Sequence, residues 1–222
     1  MSNPLALVVG AGPGVSGSLA RRFGEAGYDV ALVGLDIKEL ARLGHELQSE
    51  GITASWADVD VTDSALLHAA IQRLATSAGH LELLHFNPSA YRPRTPLELT
   101  AAELLQDVAL GVGALLTAVQ AARPYMSARA RVTATGSVAA DRPDHTAASL
   151  GVQKAALRNL VHSLDRTLAP DGIRAVSVTV DGVIDREDPS SPLHPDQIAA
   201  AIQAAAHQPE ETWRSEVRHP SN

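Results

Sequence analysis

The chain has 222 residues, of which 45 % are apolar, and its formal net charge is −7 at pH 7. This length and composition suit one domain with a full hydrophobic core, and the acidic balance argues against a general nucleic-acid binder. No cysteine is present, so the sequence excludes disulfides, thiol catalysis and cysteine metal sites.

The N-terminal segment predicts a cytoplasmic protein. A strand begins directly after Pro4, with no basic segment and no cleavage site before it. No apolar run approaches the ~20 residues of a membrane span. We therefore expect no membrane partner.

A strand, a glycine-rich turn and a helix open the chain. Leu5–Val9 is a continuous apolar run, residues 10–17 hold four glycines, and a helical pattern follows as far as Gly27. Such a turn lets backbone N–H groups approach a phosphate, which the helix N-terminus also attracts. The segment predicts a dinucleotide site. A glycine-rich turn without a ligand is the alternative.

Strands and helices alternate along the rest of the chain. The predicted strands are Leu5–Val9, Asp29–Leu35, Ile52–Ala57, Leu81–Phe86, Ala130–Thr135 and Ile173–Val180. The predicted helices are 14–26, 36–50, 64–77, Thr100–Met126, 147–168 and 195–207. The strands are continuous apolar runs, which is typical of a parallel sheet covered on both faces. The sequence therefore predicts an α/β fold, a doubly wound parallel sheet of the Rossmann type, as a single three-layer domain over residues 1–222.

Polar residues and glycines collect at the predicted carboxyl ends of the strands, where a doubly wound sheet binds its ligand. Apart from the first turn, they are Asp36, Asp60, Asn87, Ser137, Asp181 and Gly182, and Lys154 lies on the helix after Ser137. Any one of them could be a turn or cap residue, and Asp36 could cap its helix. The histidines show no metal-ligand spacing with acidic partners, so no metal site is predicted.

These motifs resemble those of the short-chain dehydrogenase/reductase family over about residues 5–210. Val9–Ser16 resembles the family's Thr-Gly-x-x-x-Gly-x-Gly motif, with Ser16 in place of the third glycine. Asp60-Val61 resembles its adenine contact, Ser137 its catalytic Ser and Lys154 the end of its Tyr-x-x-x-Lys motif. The implied cofactor-binding residues are Gly10, Gly12, Pro13, Gly14, Val15, Asp36, Asp60, Val61, Asn87, Lys154, Gly182 and Ile184.

Two positions depart from the family's catalytic pattern. Leu150 stands where the Tyr is expected, and none of the three tyrosines is followed by Lys four residues later. Gly111 aligns near the family's helix Asn, which belongs to its proton relay. The chain therefore resembles an atypical branch. General acid catalysis is typically worth about 10²–10⁴ in rate, and Leu150 has no proton to donate.

Two residues could replace the missing phenol. Tyr91 follows the fourth strand, and His145 lies between Ser137 and Lys154, with a side chain that titrates near neutral pH. The alternatives are that Tyr91 covers apolar surface and that His145 faces solvent. The predicted catalytic set is Ser137, Lys154, Tyr91 and His145.

The cofactor is expected to be NAD or NADP. Asp36 would accept ribose hydroxyls and repel a 2′-phosphate, which favours NAD slightly. Arg21 and Arg22 could offset that preference from the first helix.

The resemblance implies an oxidoreductase acting on a carbonyl or hydroxyl compound. The alternative is a non-redox binding protein, regulator or enzyme on the same scaffold. The partners expected are a small-molecule substrate and further copies of the chain, as a homodimer or homotetramer. Small residues of two long helices would permit close approach across a two-fold axis, namely Ala114, Ala118, Ala155 and Ala156.

Overall fold

The computed structural model describes residues 3–78 and 80–220. Within that part of the chain, seven strands form one parallel sheet in the order β3-β2-β1-β4-β5-β6-β7. The strands are β1 Leu5–Val9, β2 Asp29–Gly34, β3 Ala54–Asp58, β4 Leu81–Phe86, β5 Met126–Ser137, β6 Arg174–Val180 and β7 Glu216–His219. The helices are α1 Val15–Glu25, α2 Ile37–Ser49, α3 Ser64–Ala78, α4 Ala101–Val108, α5 Ala114–Ala122, α6 Ala148–Leu168 and α7 Pro195–Ala206.

Helices cover both faces of the sheet because strand side chains alternate in direction. Leu5, Leu7 and Val9 of β1 pack in a cluster with residues of α3, α5 and α6. Ala6 packs with residues of α1 and α7, and Val8 packs with residues of α1 and α2. All five residues are buried, so β1 contributes to the core on both sides. The predicted doubly wound, three-layer sheet is confirmed.

The seventh strand was not predicted from the sequence. Glu216–His219 pairs in parallel with β6, so that Val217 lies beside Val178. Two carboxylate contacts hold β7, since Glu216 accepts hydrogen bonds from Arg158 and from Thr179 Oγ1. A four-residue edge strand with three charged or titratable residues has no apolar run, so its tertiary partners decide its conformation.

The predicted helix Thr100–Met126 is interrupted. Thr100 and Glu103 form the predicted capping box, but a π-helical turn at Ala109–Gly113 separates α4 from α5. The stretch ends in a 3₁₀ turn, and β5 begins at Met126, earlier than predicted.

The same stretch bears on the expectation that no apolar segment approaches the length of a membrane span. Ala101–Tyr125 is long and apolar enough to cross a membrane by length and composition alone. Core helices share these properties, and α5 buries Leu115, Ala118 and Val119 in the cluster that lies beneath it. Of the apolar window, 33 % is buried inside the structure, so packing within the chain accounts for part of its apolar character.

Candidate active site

The turn between β1 and α1 depends on glycine geometry. Gly10 has φ +78° and Gly14 has φ +112°. A Cβ on Gly10 would lie 2.7–2.8 Å from Pro88, whereas a Cβ on Gly12 would have no atom within 4 Å. Gly14 is the N-cap of α1 and brings no side chain to the helix N-terminus. The amides of Gly10 and Ala11 donate to the carbonyl oxygen of Val33, so the N–H groups that suit a phosphate are those at the N-terminus of α1, which no side chain caps.

Ser16 and Gly17 together replace the third glycine of the motif, which allows close packing between the turn and the helix. Ser16 Oγ accepts from the Gly12 amide at 3.2 Å and lies 3.3 Å from its carbonyl oxygen. A Cβ on Gly17 would lie 2.9 Å from that oxygen. The close approach of turn to helix therefore falls at Gly17, and Ser16 ties the turn down. The side chain of Val15 is buried against α7, and Pro13 is exposed.

The loop after β6 brings a cation to the same turn. Gly182 has φ +155°, and a Cβ there would lie 2.5 Å from Leu193. Beyond the partly exposed Ile184, Arg186 Nη2 lies 3.4 Å from the position of a Cβ on Gly14. Sequence reasoning missed Arg186, because only the fold brings residues 14 and 186 together.

Lys154 lies buried beneath the ends of β4 and β5. Its Nζ donates to the carbonyl oxygen of Thr135 at 2.8 Å, and its residue is 5 % exposed. Burial lowers the pKa of Lys154 from 10.5 to about 8, because a charge is costly in an apolar environment. An ammonium has three donors, and the bond to Thr135 uses one of them.

Asn87 and Ser137 lie at the ends of the same two strands. Asn87 accepts from Thr135 Oγ1 at 2.8 Å, and its Nδ2 lies 3.5 Å from the Gly10 carbonyl oxygen. Ser137 Oγ accepts from the Ala139 amide at 3.2 Å, and the residue is half-buried. The Ser137 hydroxyl hydrogen remains able to donate to a substrate oxygen.

Asp36 caps α2. Its Oδ1 accepts from the amides of Lys38 and Glu39 at 2.9 and 3.2 Å. The capping alternative is therefore realised, and it uses one carboxylate oxygen.

Arg21 and Arg22 have other partners. Arg21 pairs with Glu50 at the far end of α2, at 2.8 Å, and Arg22 donates to Gln203 of α7 at 3.1 Å. In the structure these bonds direct the two side chains towards Glu50 and Gln203, so an offset of the repulsion between Asp36 and a 2′-phosphate stays a prediction.

Asp60 closes a turn after β3. It accepts from the Thr62 hydroxyl at 2.7 Å and from the Thr62 amide at 2.9 Å. These bonds lower the pKa of Asp60, the hydroxyl first. The side chain of Val61 is buried in the core.

Sequence comparison identifies the family. A model of the short-chain dehydrogenases matches residues 4–187. The chain belongs to the short-chain dehydrogenase family. The match spans most of the chain and includes the glycine turn, Ser137 and Lys154.

Curated relatives carry oxidoreductase names. Oxidoreductase UcpA of Escherichia coli strain K12 is 29 % identical over 184 residues, which cover 80 % of this chain and 68 % of that protein. Cis-4-hydroxycyclohexanecarboxylate dehydrogenase of Sinomonas cyclohexanicum is 29 % identical over 178 residues, which cover 78 % of this chain and 71 % of that protein.

Solved structures show the same fold. A metagenomic short-chain oxidoreductase in complex with NADP superposes with a TM-score of 0.87 at 24 % identity, covering 100 % of this chain and 99 % of the other. A short-chain dehydrogenase/reductase of Serratia marcescens gives 0.85 at 21 % identity, covering 98 % and 97 %. At these identities the similarity establishes the fold of this short-chain dehydrogenase.

Leu150 and Gly111 lie on the two helices that pack near Lys154. Leu150 is half-buried one turn before Lys154 on α6. Gly111 lies in the π-helical turn, where a Cβ would be 2.4 Å from Gln153 Oε1. Gln153 is fully buried and binds the loop after β4, accepting from the Ala90 amide at 3.1 Å and donating to its carbonyl oxygen at 2.9 Å. Gln153 therefore occupies the space that a side chain at 111 would need.

The two candidate proton donors lie on exposed loops. Tyr91 is 69 % exposed and lines a cavity of about 480 Å³ with Arg92 and Asp107. The His145 side chain is 86 % exposed and lines a separate cavity of about 590 Å³. The linings of these two cavities, in the described ranges, include neither Ser137 nor Lys154. Among residues 3–78 and 80–220 there is also no group of three or more potential metal ligands.

Proposed function

We propose that this short-chain dehydrogenase is an NAD(P)-dependent oxidoreductase that acts on a carbonyl or hydroxyl group of a small molecule. The observation that carries the proposal is Lys154, buried and bonded to the end of the strand that bears Ser137. Its remaining donors lie at the edge of the sheet that carries the open glycine turn. A nicotinamide cofactor supplies a hydride when bound.

The residues present fit such a cofactor. The uncapped helix N-terminus at Gly14 and the guanidinium of Arg186 suit a pyrophosphate. In this proposal Lys154 would donate to the ribose hydroxyls, and Asn87, Asp60, Val61, Gly182 and Ile184 would complete the cofactor-binding set. Ser137 donates a hydrogen bond to the substrate oxygen and holds it for the transfer.

The proton needs a source other than residue 150. Reduction of a carbonyl leaves an alkoxide, and Leu150 has no hydrogen to donate to it. We propose Tyr91 or His145 as the donor. Both lie on loops, and the Tyr91 loop is fixed to α6 through Ala90 and Gln153.

Two measurements test the function. Calorimetry measures the affinity for NADH and NADPH, and nicotinamide absorbance follows oxidation across a panel of aldehydes and ketones. Ser137→Ala is expected to lower turnover with little change in cofactor affinity, and Lys154→Met to weaken cofactor binding. A large loss of turnover in Tyr91→Phe or His145→Ala, but not in the other, would identify the donor. If the wild-type protein binds neither dinucleotide, the proposal is wrong.

A non-redox role is the second candidate. Leu150 and the Gly111–Gln153 contact favour it, because both positions for proton transfer are apolar or filled. The test uses the wild type, the four variants of the previous experiment and Leu150→Tyr. If the wild type binds the cofactor and none of these proteins turns over any carbonyl, the non-redox role is established and the oxidoreductase proposal is wrong.

We further propose a preference for NAD. The second carboxylate oxygen of Asp36 would accept ribose hydroxyls and oppose a 2′-phosphate. Asp36→Asn keeps a capping side chain and is expected to narrow the difference between the two affinities. A tenfold preference of the wild type for NADP would contradict this.

We also propose a homodimer or homotetramer formed through α4, α5 and α6. Leu105, Leu116 and Val152 of these helices are 67 %, 41 % and 47 % exposed. Ala114 and Ala118 are buried inside the subunit, so the predicted contribution of these two alanines to the interface is wrong. Light scattering that gives the monomer mass of 23.2 kDa at micromolar concentration would contradict an oligomer.

A further inference from the structure

A chain of buried polar side chains runs from the middle of the sheet to the glycine turn. His85 of β4 and Thr133 of β5 are neighbours in the strand pairing, and both are fully buried. His85 Nδ1 lies 2.9 Å from Thr133 Oγ1, and His85 Nε2 lies 3.4 Å from Thr135 Oγ1. Thr135 then donates to Asn87. A polar histidine inside an apolar sheet needs such partners, because a buried polar group without a hydrogen bond is costly.

The partners give the chain one direction. Asn87 Nδ2 faces the carbonyl oxygen of Gly10, which can only accept, so Asn87 presents Oδ1 to Thr135. The single hydroxyl hydrogen of Thr135 goes to that oxygen at 2.8 Å. Thr135 has no second hydrogen to offer, so a hydrogen bond between His85 Nε2 and Thr135 Oγ1 requires the hydrogen to be on Nε2. In a neutral ring Nδ1 then accepts from Thr133.

The environment keeps His85 neutral. Burial first, and then the charge of Lys154, lower the pKa of His85 from 6.5 to about 3. A neutral ring has one donor and one acceptor, which are the two roles that the chain requires. The direction is therefore stable over the whole physiological pH range.

Thr135 connects this series of hydrogen-bonded side chains to the proposed site. Its hydroxyl orients Asn87, and its carbonyl oxygen accepts from Lys154 at 2.8 Å. Thr135 thus connects the amide that faces the glycine turn with the lysine proposed to bind ribose. The position and rotamer of this one residue affect both contacts.

We propose that His85 is a positioning residue that, through Thr135, holds the Asn87 amide oriented towards the cofactor-binding turn. The inference rests on the proposed function in one respect, namely that a nicotinamide dinucleotide binds at this turn. The orientation of the Asn87 amide does not depend on the cofactor, because it follows from hydrogen bonds within the protein. The two parts are therefore tested separately.

The first experiment identifies the tautomer of His85. In the ¹⁵N-labelled wild-type protein without cofactor, a long-range ¹H–¹⁵N spectrum shows which ring nitrogen carries the hydrogen, and His85→Gln assigns the signal. A hydrogen on Nε2 is expected at neutral pH. A hydrogen on Nδ1, or a doubly protonated ring, would overturn the inference whether or not a cofactor binds.

The second experiment measures NADH affinity by calorimetry. Thr135→Val removes the hydroxyl and keeps the carbonyl oxygen that binds Lys154, so it is expected to weaken binding about tenfold. Thr135→Ser keeps the hydroxyl and should retain wild-type affinity. His85→Leu should weaken binding about threefold. Because His85 acts through Thr135, the double variant should match Thr135→Val alone.

Thr179→Val is the matched control. Thr179 is a buried strand threonine whose hydroxyl donates to Glu216 at 2.7 Å, on β6. This variant should lower the melting temperature and leave NADH affinity unchanged. A purely structural role for His85 would give the same pattern in Thr135→Val.

The outcomes separate the two claims. Wild-type NADH affinity in both Thr135→Val and His85→Leu overturns the positioning role and leaves the proposed function intact. Absence of binding in the wild type overturns the proposed function and, with it, the cofactor part of the inference. If Thr135→Val does not fold, Thr133→Val replaces it, since it removes the partner of Nδ1 without changing Thr135. It should weaken binding about threefold, and unchanged affinity would contradict the inference.

Discussion

The glycine turn after β1 and the beginning of α6 differ in how far they keep the family's pattern. At the turn, Gly10 and Gly14 adopt positive φ, and Gly17 supplies the close approach although Ser16 replaces a glycine. On α6, Lys154 keeps its place while Leu150 lacks the phenol. Under the proposed function, the part of the site that binds the cofactor therefore follows the pattern, and the part that would transfer the proton does not.

The difference follows from what each part is made of. The turn works through backbone N–H groups, so any sequence that preserves φ and open space preserves it. Proton transfer depends on one side-chain hydrogen at one place, and a single substitution removes it. Binding and chemistry can thus diverge independently within one fold.

The largest effect is expected from restoring the phenol. Leu150→Tyr places a hydroxyl one helical turn from Lys154, because residues i and i+4 lie on the same face. Carbonyl reduction should rise by up to about 10²–10⁴, measured as cofactor oxidation. Arg166→Tyr is the control, since it adds a phenol at an exposed position of the same helix, three turns beyond Lys154. An equal gain in both variants would contradict the assignment.

The gain in carbonyl reduction from Leu150→Tyr should be limited by residue 111, because a glycine there supplies no side chain to the proton relay that the resemblance implies. Gly111→Asn alone is expected to destabilise the protein, since a Cβ there meets Gln153 Oε1 at 2.4 Å. Combining Gly111→Asn with Gln153→Ala makes room for the new side chain. Thermal melting of the single and double variants tests the clash.

A loss of about 100-fold in NADH affinity is expected for Gly14→Val. Two charge-assisted hydrogen bonds at the turn carry roughly this free energy, and a branched side chain would block the approach. Gly27→Val is the control, because Gly27 also has positive φ, at +91°, and lies at the other end of α1 with no atom within 4 Å of a Cβ. An equal loss of NADH affinity in the two variants would show that backbone strain, and not blocked access to the turn, causes the loss.

A smaller loss, about tenfold, is expected for Arg186→Ala. The guanidinium lies over Gly14, so the loss should apply to NADH and ADP but not to adenosine, and should shrink at high salt. Arg129→Ala removes the same charge from an exposed residue near the start of β5 and should leave affinity unchanged. A matching loss for adenosine would argue against a phosphate contact.

Lys154→Met should raise stability while it weakens cofactor binding. The pKa of Lys154 is about 8 in the folded protein against its usual 10.5, so between these values the unfolded chain binds more protons. The free energy of unfolding of the wild type should therefore rise with pH over this window. The variant should lack that rise and be more stable at pH 7 by about 1 kcal/mol. Denaturant titrations at pH 7 and 10 measure the free energy of unfolding of the wild type and of the variant. An equal rise with pH in the variant would exclude Lys154 as the cause of the pH dependence.

Local sequence determined much of the fold. β1 and β4 were predicted to the residue, and the capping box at Thr100 was found, because apolar runs and caps act within a few residues. The sequence puts Asp36 at the end of a strand, where it could bind ribose or cap the next helix. Its hydrogen bonds in the structure show that it caps the helix. Side-chain contacts over long sequence separations decided the rest.

By itself, the sequence determined the alternation of strands and helices, the glycine turn, the presence of Ser137 and Lys154 and the absence of Tyr at 150. The tertiary structure alone decided that β7 joins the sheet, that Gln153 fills the space at Gly111 and that Arg186 covers Gly14. It also decided that His85 joins Thr135 in one hydrogen-bond chain. Periodicity and turn chemistry act locally along the chain. Contacts between residues 14 and 186, or 85 and 135, exist only once the sheet has brought distant segments together.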